Sequence, residues 1–294
     1  MKSQFRPKNF SWSQAKKYSD CAKKYHYNKV LGLPEKPGVG LLIGIIADDV
    51  VMGESGYFAD VINKIKNGPE YYEKKFEDKV KNLKNDAEDH LTDEENDQLE
   101  KDASRVQTLI TQYCEPTCMM HRHLTPLAVQ KKYNISLTGL KAPIIGFADL
   151  ISRDKNTNEL VVVDLKVTKQ RPYMQIKSYK LQTALYAFAE MQEQKLDYIP
   201  NIEIHSMVKN KKPILDHGAY MISTDDITQT YQMLLNLQFG IDSNYYPLNR
   251  LSNLCTPTYC TFYDKCHSDH DRKLETLKLL YDKSNIKKEA YETK

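Results

Sequence analysis

Ile144-Ile-Gly-Phe-Ala-Asp-Leu-Ile-Ser152, then Asp154-Lys-Asn-Thr-Asn158, then Leu160-Val-Val-Val-Asp-Leu-Lys-Val167 follow one another along the chain. The outer two are apolar runs of strand length, and the middle one is a polar turn. Together they read as a β-hairpin. Side chains alternate along a strand, so Asp164 and Lys166 share one face and Leu165 takes the other. Three valines lead into Asp164, which predicts a strand buried on both sides. Charges at the end of such a strand are costly unless they are paired or hold a metal.

Outward from the hairpin, a strand from about Leu127 places Val129, Lys131, Tyr133, Ile135 and Leu137 on one face. After it come an amphipathic helix from Ser178 to Gln192, a strand from Ile202 to Val208 and a helix from Thr224 to Phe239. Before it, Trp12, Ala15, Tyr18, Ala22 and Tyr25 recur at helical spacing, predicting one helix from Ser11 to Val30 that Gly32 and Pro34 end. Leu41 to Met52 is a second, strongly apolar helix. The order predicts an α/β core, a mixed central sheet flanked by helices, in a single domain over residues 1–273. Residues 61–113 are crowded with charge and thin in apolar positions, so 61–125 reads as a solvated helical insertion. A Lys/Glu-rich stretch, 274–294, is expected to be an exposed helix or tail.

Lys and Arg number 42 against 39 Asp and Glu, so the net charge of +3 points to no polyanionic partner by itself. A nucleic-acid partner would need its cations gathered locally. No apolar run approaches the roughly 20 residues that cross a bilayer, and Met1 to Phe10 lacks the apolar centre of a secretory signal. The expectation is a cytoplasmic bacterial or viral protein with no membrane partner. Its six cysteines then read as metal ligands or free thiols rather than disulfides.

Asp149 ends the pattern Gly146-x-x-Asp149 on the first hairpin strand, opposite the Asp164-Leu-Lys166 strand. Taken alone, Asp164 and Lys166 are a salt bridge at a strand end. The following helix carries Gln182 and Tyr186 four residues apart, hence on one face. Taken alone, that pair is a polar stripe. In combination, Gly146-x-x-Asp149, Asp164-Leu-Lys166 and Gln182-x-x-x-Tyr186 resemble the RecB-like branch of the PD-(D/E)XK nucleases. Ser11-Trp-Ser13 and Tyr18-x-x-Cys21-x-x-x-Tyr25 resemble that family's opening helix.

The resemblance implies a divalent-metal-dependent nuclease. Mg²⁺ or Mn²⁺ on Asp149 and Asp164 would polarise the phosphate and lower the pKa of a bound water. Lys166 would act on that water, and Gln182 and Tyr186 would position the DNA. The family's second helix usually offers a metal-binding histidine four residues after a glycine. Here Gly44-Ile-Ile-Ala-Asp48 puts Asp48 in that place, with Asp49 the substitute if the register moves by one. An acidic residue is also common on the preceding strand, where Gln130 stands. Lys169, Arg171 and Tyr179, with Lys177, Lys180 and 209–212, are candidates for a local basic, aromatic DNA contact.

Cys255-x4-Cys260-x5-Cys266 offers three thiolates, and tetrahedral zinc or an iron–sulfur cluster wants four. Iron–sulfur members of the branch, the CRISPR-adaptation and phage exonucleases among them, take one cysteine from the opening helix and three from the C-terminal end. Cys21, Cys255, Cys260 and Cys266 match that arrangement. It implies a [4Fe–4S] clasp, with Zn²⁺ as alternative because His267 and His270 lie close by. Cys114, Cys118, His121 and His123 are read as ordinary thiols and imidazoles, a second metal site being the other option. The expected function is an exonuclease acting on DNA ends or single strands in recombination, repair or viral DNA processing, with a possible helicase or recombination partner. The alternatives are a DNA-binding module that has lost cleavage and a metal-clasped protein–protein adaptor.

Overall fold

A computed structural model describes residues 5–87, 91–171, 173 and 176–269. The predicted C-terminal helix or tail, 274–294, and His270 lie outside them. The chain divides into two compact units, one of residues 7–12 and 37–235, the other of 1–6, 13–36 and 236–294.

The larger unit is built on five strands: β1 (Leu124–Ile135), β2 (Ile144–Asp154), β3 (Leu160–Thr168), β4 (Asn201–Val208) and β5 (Ile214–Tyr220). They stand in sequence order, antiparallel except for the parallel β3–β4 pair. The sheet is therefore mixed, as predicted. The hairpin turn holds because Asp154 Oδ1 accepts from the backbone amides of Asn156 at 2.6 Å and Thr157 at 3.0 Å. β3 is buried from Leu160 through Leu165. Each of its fully buried valines contributes roughly 1.5–3 kcal/mol by leaving water.

β5 was not expected. Its sequence, Ile-Leu-Asp-His-Gly-Ala-Tyr, has no apolar alternation, and it is a half-exposed edge strand paired only to β4. Its ladder comes from tertiary pairing rather than from local pattern.

One helix, α7 (Ile176–Glu193), crosses from β3 to β4 and packs on the sheet. The valine and leucine side chains of β3 that alternate with Asp164 meet α3 (Val39–Val51), α4 (Tyr57–Ile62), α5 (Pro69–Ala87) and α6 (Asp93–Tyr113) in one continuous core. This corrects the solvated insertion. Tyr72, Phe76 and Val80 on α5, and Leu99, Val106, Leu109, Ile110 and Tyr113 on α6, are all buried. Three- and four-residue spacing gathers sparse apolar residues into a full stripe, while the many charges occupy the remaining arc. α6 starts on a capping box in which Thr92 and Glu95 exchange hydrogen bonds.

In the smaller unit the single predicted opening helix is broken. α1 (Trp12–Asp20) stops at Cys21, whose backbone is extended at φ −163°, and α2 (Ala22–Tyr25) resumes, ending in a π-helical turn over His26–Val30. Contacts far along the chain support the break: Asn249 Nδ2 donates to the Asp20 carbonyl at 2.9 Å, and Lys23 N to the Pro247 carbonyl at 3.1 Å. Local periodicity cannot register such partners. α8 (Thr224–Asp242) follows β5.

Candidate active site

The register that pairs Leu150 with Val163 carries on to set Asp149 opposite Asp164. The amide of Leu165 donates to Asp149 Oδ2 at 2.8 Å, so the two strands share one carboxylate at their divergence. Lys166 Nζ lies 2.5 Å from Asp164 Oδ2. That contact is an ion pair without hydrogen-bond alignment: both Asp164 oxygens are buried and accept no hydrogen bond, and neither does Asp48 Oδ1. Asp48 reaches the group from α3, where Gln130 Nε2 donates to its Oδ2 at 3.1 Å. Asp49 instead pairs with Lys79 at 2.8 Å.

The charges press on one another. Burial pushes the Asp149 carboxyl well above its ordinary range, and Asp164 and Asp48 add to this against Lys166. Burial lifts Asp48 to about 6; Lys166 and Gln130 pull it down, while Asp164 and Asp49 push it up. Burial alone would lower Lys166, but Asp164 and Asp149 outweigh it and hold the ammonium above its usual range.

Two carboxylates with orphaned buried oxygens, Asp48 and Asp164, beside a third, Asp149, have the chemistry of a hard-cation site. Among the described residues no group of three His, Cys, Asp or Glu side chains stands close enough to hold an ion.

Gly146 shows why its pattern has a glycine. A Cβ there would stand 2.5 Å from Tyr186 Cε1, so only a bare backbone lets the Tyr186 ring lie against β2. Gln182 hydrogen-bonds the Tyr186 hydroxyl, and burial lifts that phenol to about 12. The ring stacks on Tyr133, centroids 5.7 Å apart. Behind it, buried Glu190 accepts from the Tyr133 hydroxyl and from Lys131. Tyr133 and Glu190 were not singled out from sequence. The signal was present, since Glu190 stands four residues beyond Tyr186 on α7.

The basic candidates divide. Lys169 is exposed beyond β3, and the Tyr179 ring centroid is 5.6 Å from Lys166 Nζ. Arg171 lies 3.7 Å from Asp216 and Lys180 3.1 Å from Asp226, so both are partly engaged. Lys209 leaves the proposed groove altogether: it is buried and paired with Asp102 on α6 at 2.8 Å. In the second cysteine–histidine group, His121 Nε2 is bonded to the Tyr113 carbonyl and His123 Nε2 to Glu203. Those nitrogens have structural partners.

Within the smaller unit, Cys21, Cys255, Cys260 and Cys266 line one cavity of roughly 210 Å³. Burial raises the Cys266 thiol, and Cys21, Cys255 and Cys260 raise it further. His267 joins the lining with Nε2 buried and unbonded. The thiols share the cavity without standing at ligand spacing.

The model of the PD-(D/E)XK nuclease superfamily matches residues 9–267. The chain belongs to the PD-(D/E)XK nuclease superfamily. No curated protein matches it. Among solved structures, it is similar to a protein from Eubacterium rectale provisionally named an exonuclease, at 14% identity and TM-score 0.49, covering 84% of this chain and 87% of that one. It is also similar to SSO0001, at 13% identity and TM-score 0.34, covering 85% and 92%. At those scores the assignment to the nuclease superfamily rests on the family match. The mixed five-stranded sheet flanked by helices agrees with a restriction-endonuclease-like core.

Proposed function

We propose that this nuclease-superfamily chain is a Mg²⁺- or Mn²⁺-dependent deoxyribonuclease, an exonuclease acting on DNA ends or single strands, of the RecB-like branch. The observation that carries the reading is the buried, unbonded oxygens of Asp164 and Asp48 beside Asp149 and Lys166. Asp48, Asp149 and Asp164 would hold the cation, which when bound supplies Lewis acidity toward phosphate and water. The Leu165 amide fixes Asp149, and Gln130 fixes Asp48. Lys166, held protonated by the aspartates, presents a positive charge that can orient the attacking water and counter charge developing on the phosphate. Tyr186, kept a neutral phenol, is a donor for a phosphate oxygen, with Gln182 setting its hydroxyl. Lys169, Arg171 and Tyr179 extend the contact along the strand.

The four cysteines support a [4Fe–4S] clasp, since they share a cavity. His267 supports zinc as the alternative. A place in recombination, repair or viral DNA processing, with a helicase partner, belongs to the same reading. An inactive DNA-binding module is favoured only by Asp48 standing where the family has histidine.

The test uses end-labelled linear and closed circular DNA with Mg²⁺ or Mn²⁺. Wild type should degrade the linear form, while Asp164→Ala and Lys166→Ala should not. Binding without cleavage under every metal would leave the module. Iron and acid-labile sulfide assays decide cluster against zinc.

A further inference from the structure

A second cavity in the larger unit, of roughly 600 Å³, lies between α4, the loop before α5 and the start of β1. Its lining includes Lys64, Lys66, Arg122 and Lys155, and no Asp or Glu. In a chain whose net charge is only +3, four cations without a carboxylate are a local concentration. Asp60 on α4 is occupied: its Oδ2 accepts from Tyr72 at 2.8 Å and Asn67 at 2.9 Å. Lys64, Lys66 and Arg122 are exposed and make no ion pair among the described residues. Lys155 is fixed to the wall, its Nζ donating to the Arg122 carbonyl at 2.6 Å.

The remainder of the lining is apolar and aromatic, with Tyr57, Phe58 and Tyr72 beneath and the exposed side chains of Val61 and Ile65 at the wall. Lys64, two residues past the end of α4, has a left-handed backbone at φ 59°, a conformation costing a non-glycine residue about 1 kcal/mol. It is held there by Lys64 N to the Val61 carbonyl at 3.2 Å and Ile65 N to the Asp60 carbonyl at 2.8 Å, which turns 64–67 toward the cavity. The volume is that of a small-molecule site. Leu124 to Pro126 lie four to six residues before Gln130 on β1, so the cavity is about 13–20 Å from the aspartates along the strand.

We propose that this cavity is a nucleoside-phosphate site, separate from the metal-dependent centre: the cations take the phosphate and the Val61–Ile65 wall takes the base or sugar. The nucleoside phosphate is either free or carried in a strand, and the chemistry is the same.

Binding is measured in chelator, so that nothing is cleaved, with dTMP, inorganic phosphate and a thymidine oligonucleotide as probes. Wild type and Asp164→Ala should bind dTMP equally, and Lys66→Glu with Arg122→Glu should weaken it about tenfold or more while melting at the wild-type temperature. Ile65→Ser should weaken dTMP but leave inorganic phosphate unchanged, which a plain charged surface would not do. An oligonucleotide bound far more tightly than dTMP, and lost in the charge-reversed protein, identifies a strand; equal affinity identifies the free nucleotide. The proposal is overturned if wild type binds no probe, if the charge-reversed protein binds as wild type does, or if Ile65→Ser leaves dTMP unaffected.

Discussion

Gln130 donates to Asp48 Oδ2 at 3.1 Å from a backbone held left-handed at φ 45°. A non-glycine residue in that region costs about 1–2 kcal/mol, so the side-chain contact and the strain are separable. Gln130→Ala should lose the contact and keep the strain, weakening divalent-metal affinity several-fold and lowering the melting temperature. Gln130→Gly should weaken metal affinity equally but melt higher than Gln130→Ala. Equal metal affinity in all three proteins, by titration calorimetry, would remove Gln130 from the site.

Asp48 is lifted to about 6 in the folded chain from an ordinary 3.8. A carboxyl raised on folding holds its proton where the unfolded chain has lost it, so the metal-free protein gains stability as pH falls through about 6. Melting in chelator should therefore rise from pH 7.5 to about 5.5, before carboxylates whose pKa is lowered by folding, such as Glu35, begin to lose their contribution. Added Mg²⁺ should stabilise more at the upper pH than at the lower, because protons compete with the cation. Asp48→Asn should flatten both trends, and a chelator profile that falls steadily from pH 7.5 would contradict the lifted carboxyl.

Gly146→Ala places a Cβ 2.5 Å from the buried, stacked Tyr186 ring, so the ring must shift. Overpacking of this kind costs typically 1–3 kcal/mol. The variant should melt lower and lose most nuclease activity, since the ring must leave the phosphate side. Adding Tyr186→Leu should restore melting without restoring cleavage. Recovery of both by the double variant would show that Tyr186 only packs.

The hairpin and its charges were legible because period-two alternation and a polar turn are local signals, and β2, β3 and their turn lie where the sequence put them. Asp48 was legible only through the family pattern, since nothing within α3 distinguishes it from Asp49; Gln130 and Lys79 do so across the fold. β5 and the break at Cys21 were not legible, because the partners that create them are remote in sequence. The insertion was misread for another reason. Counting charges hides a narrow apolar stripe, and on α5 and α6 that stripe is wide enough to join the core.

The buried pair Lys209–Asp102 ties the residue after β4 to α6 at 2.8 Å, with Gln98 Nε2 also donating to Asp102 at 2.7 Å. Both ions have left water almost completely. Removing one partner leaves the other uncompensated, and such losses run to about 3–5 kcal/mol. Gln98, together with Arg105 at 3.7 Å, still supports the acid, so Lys209→Met should fall at the low end of that range by denaturant titration. Replacing both, Lys209→Met with Asp102→Leu, should recover most of the loss, because desolvation of the two charges is removed along with their attraction. A double variant as unstable as the single one would mean that the pair fixes α6 rather than merely tolerating burial. That outcome should also weaken metal binding, since α6 packs on the helix that carries Asp48.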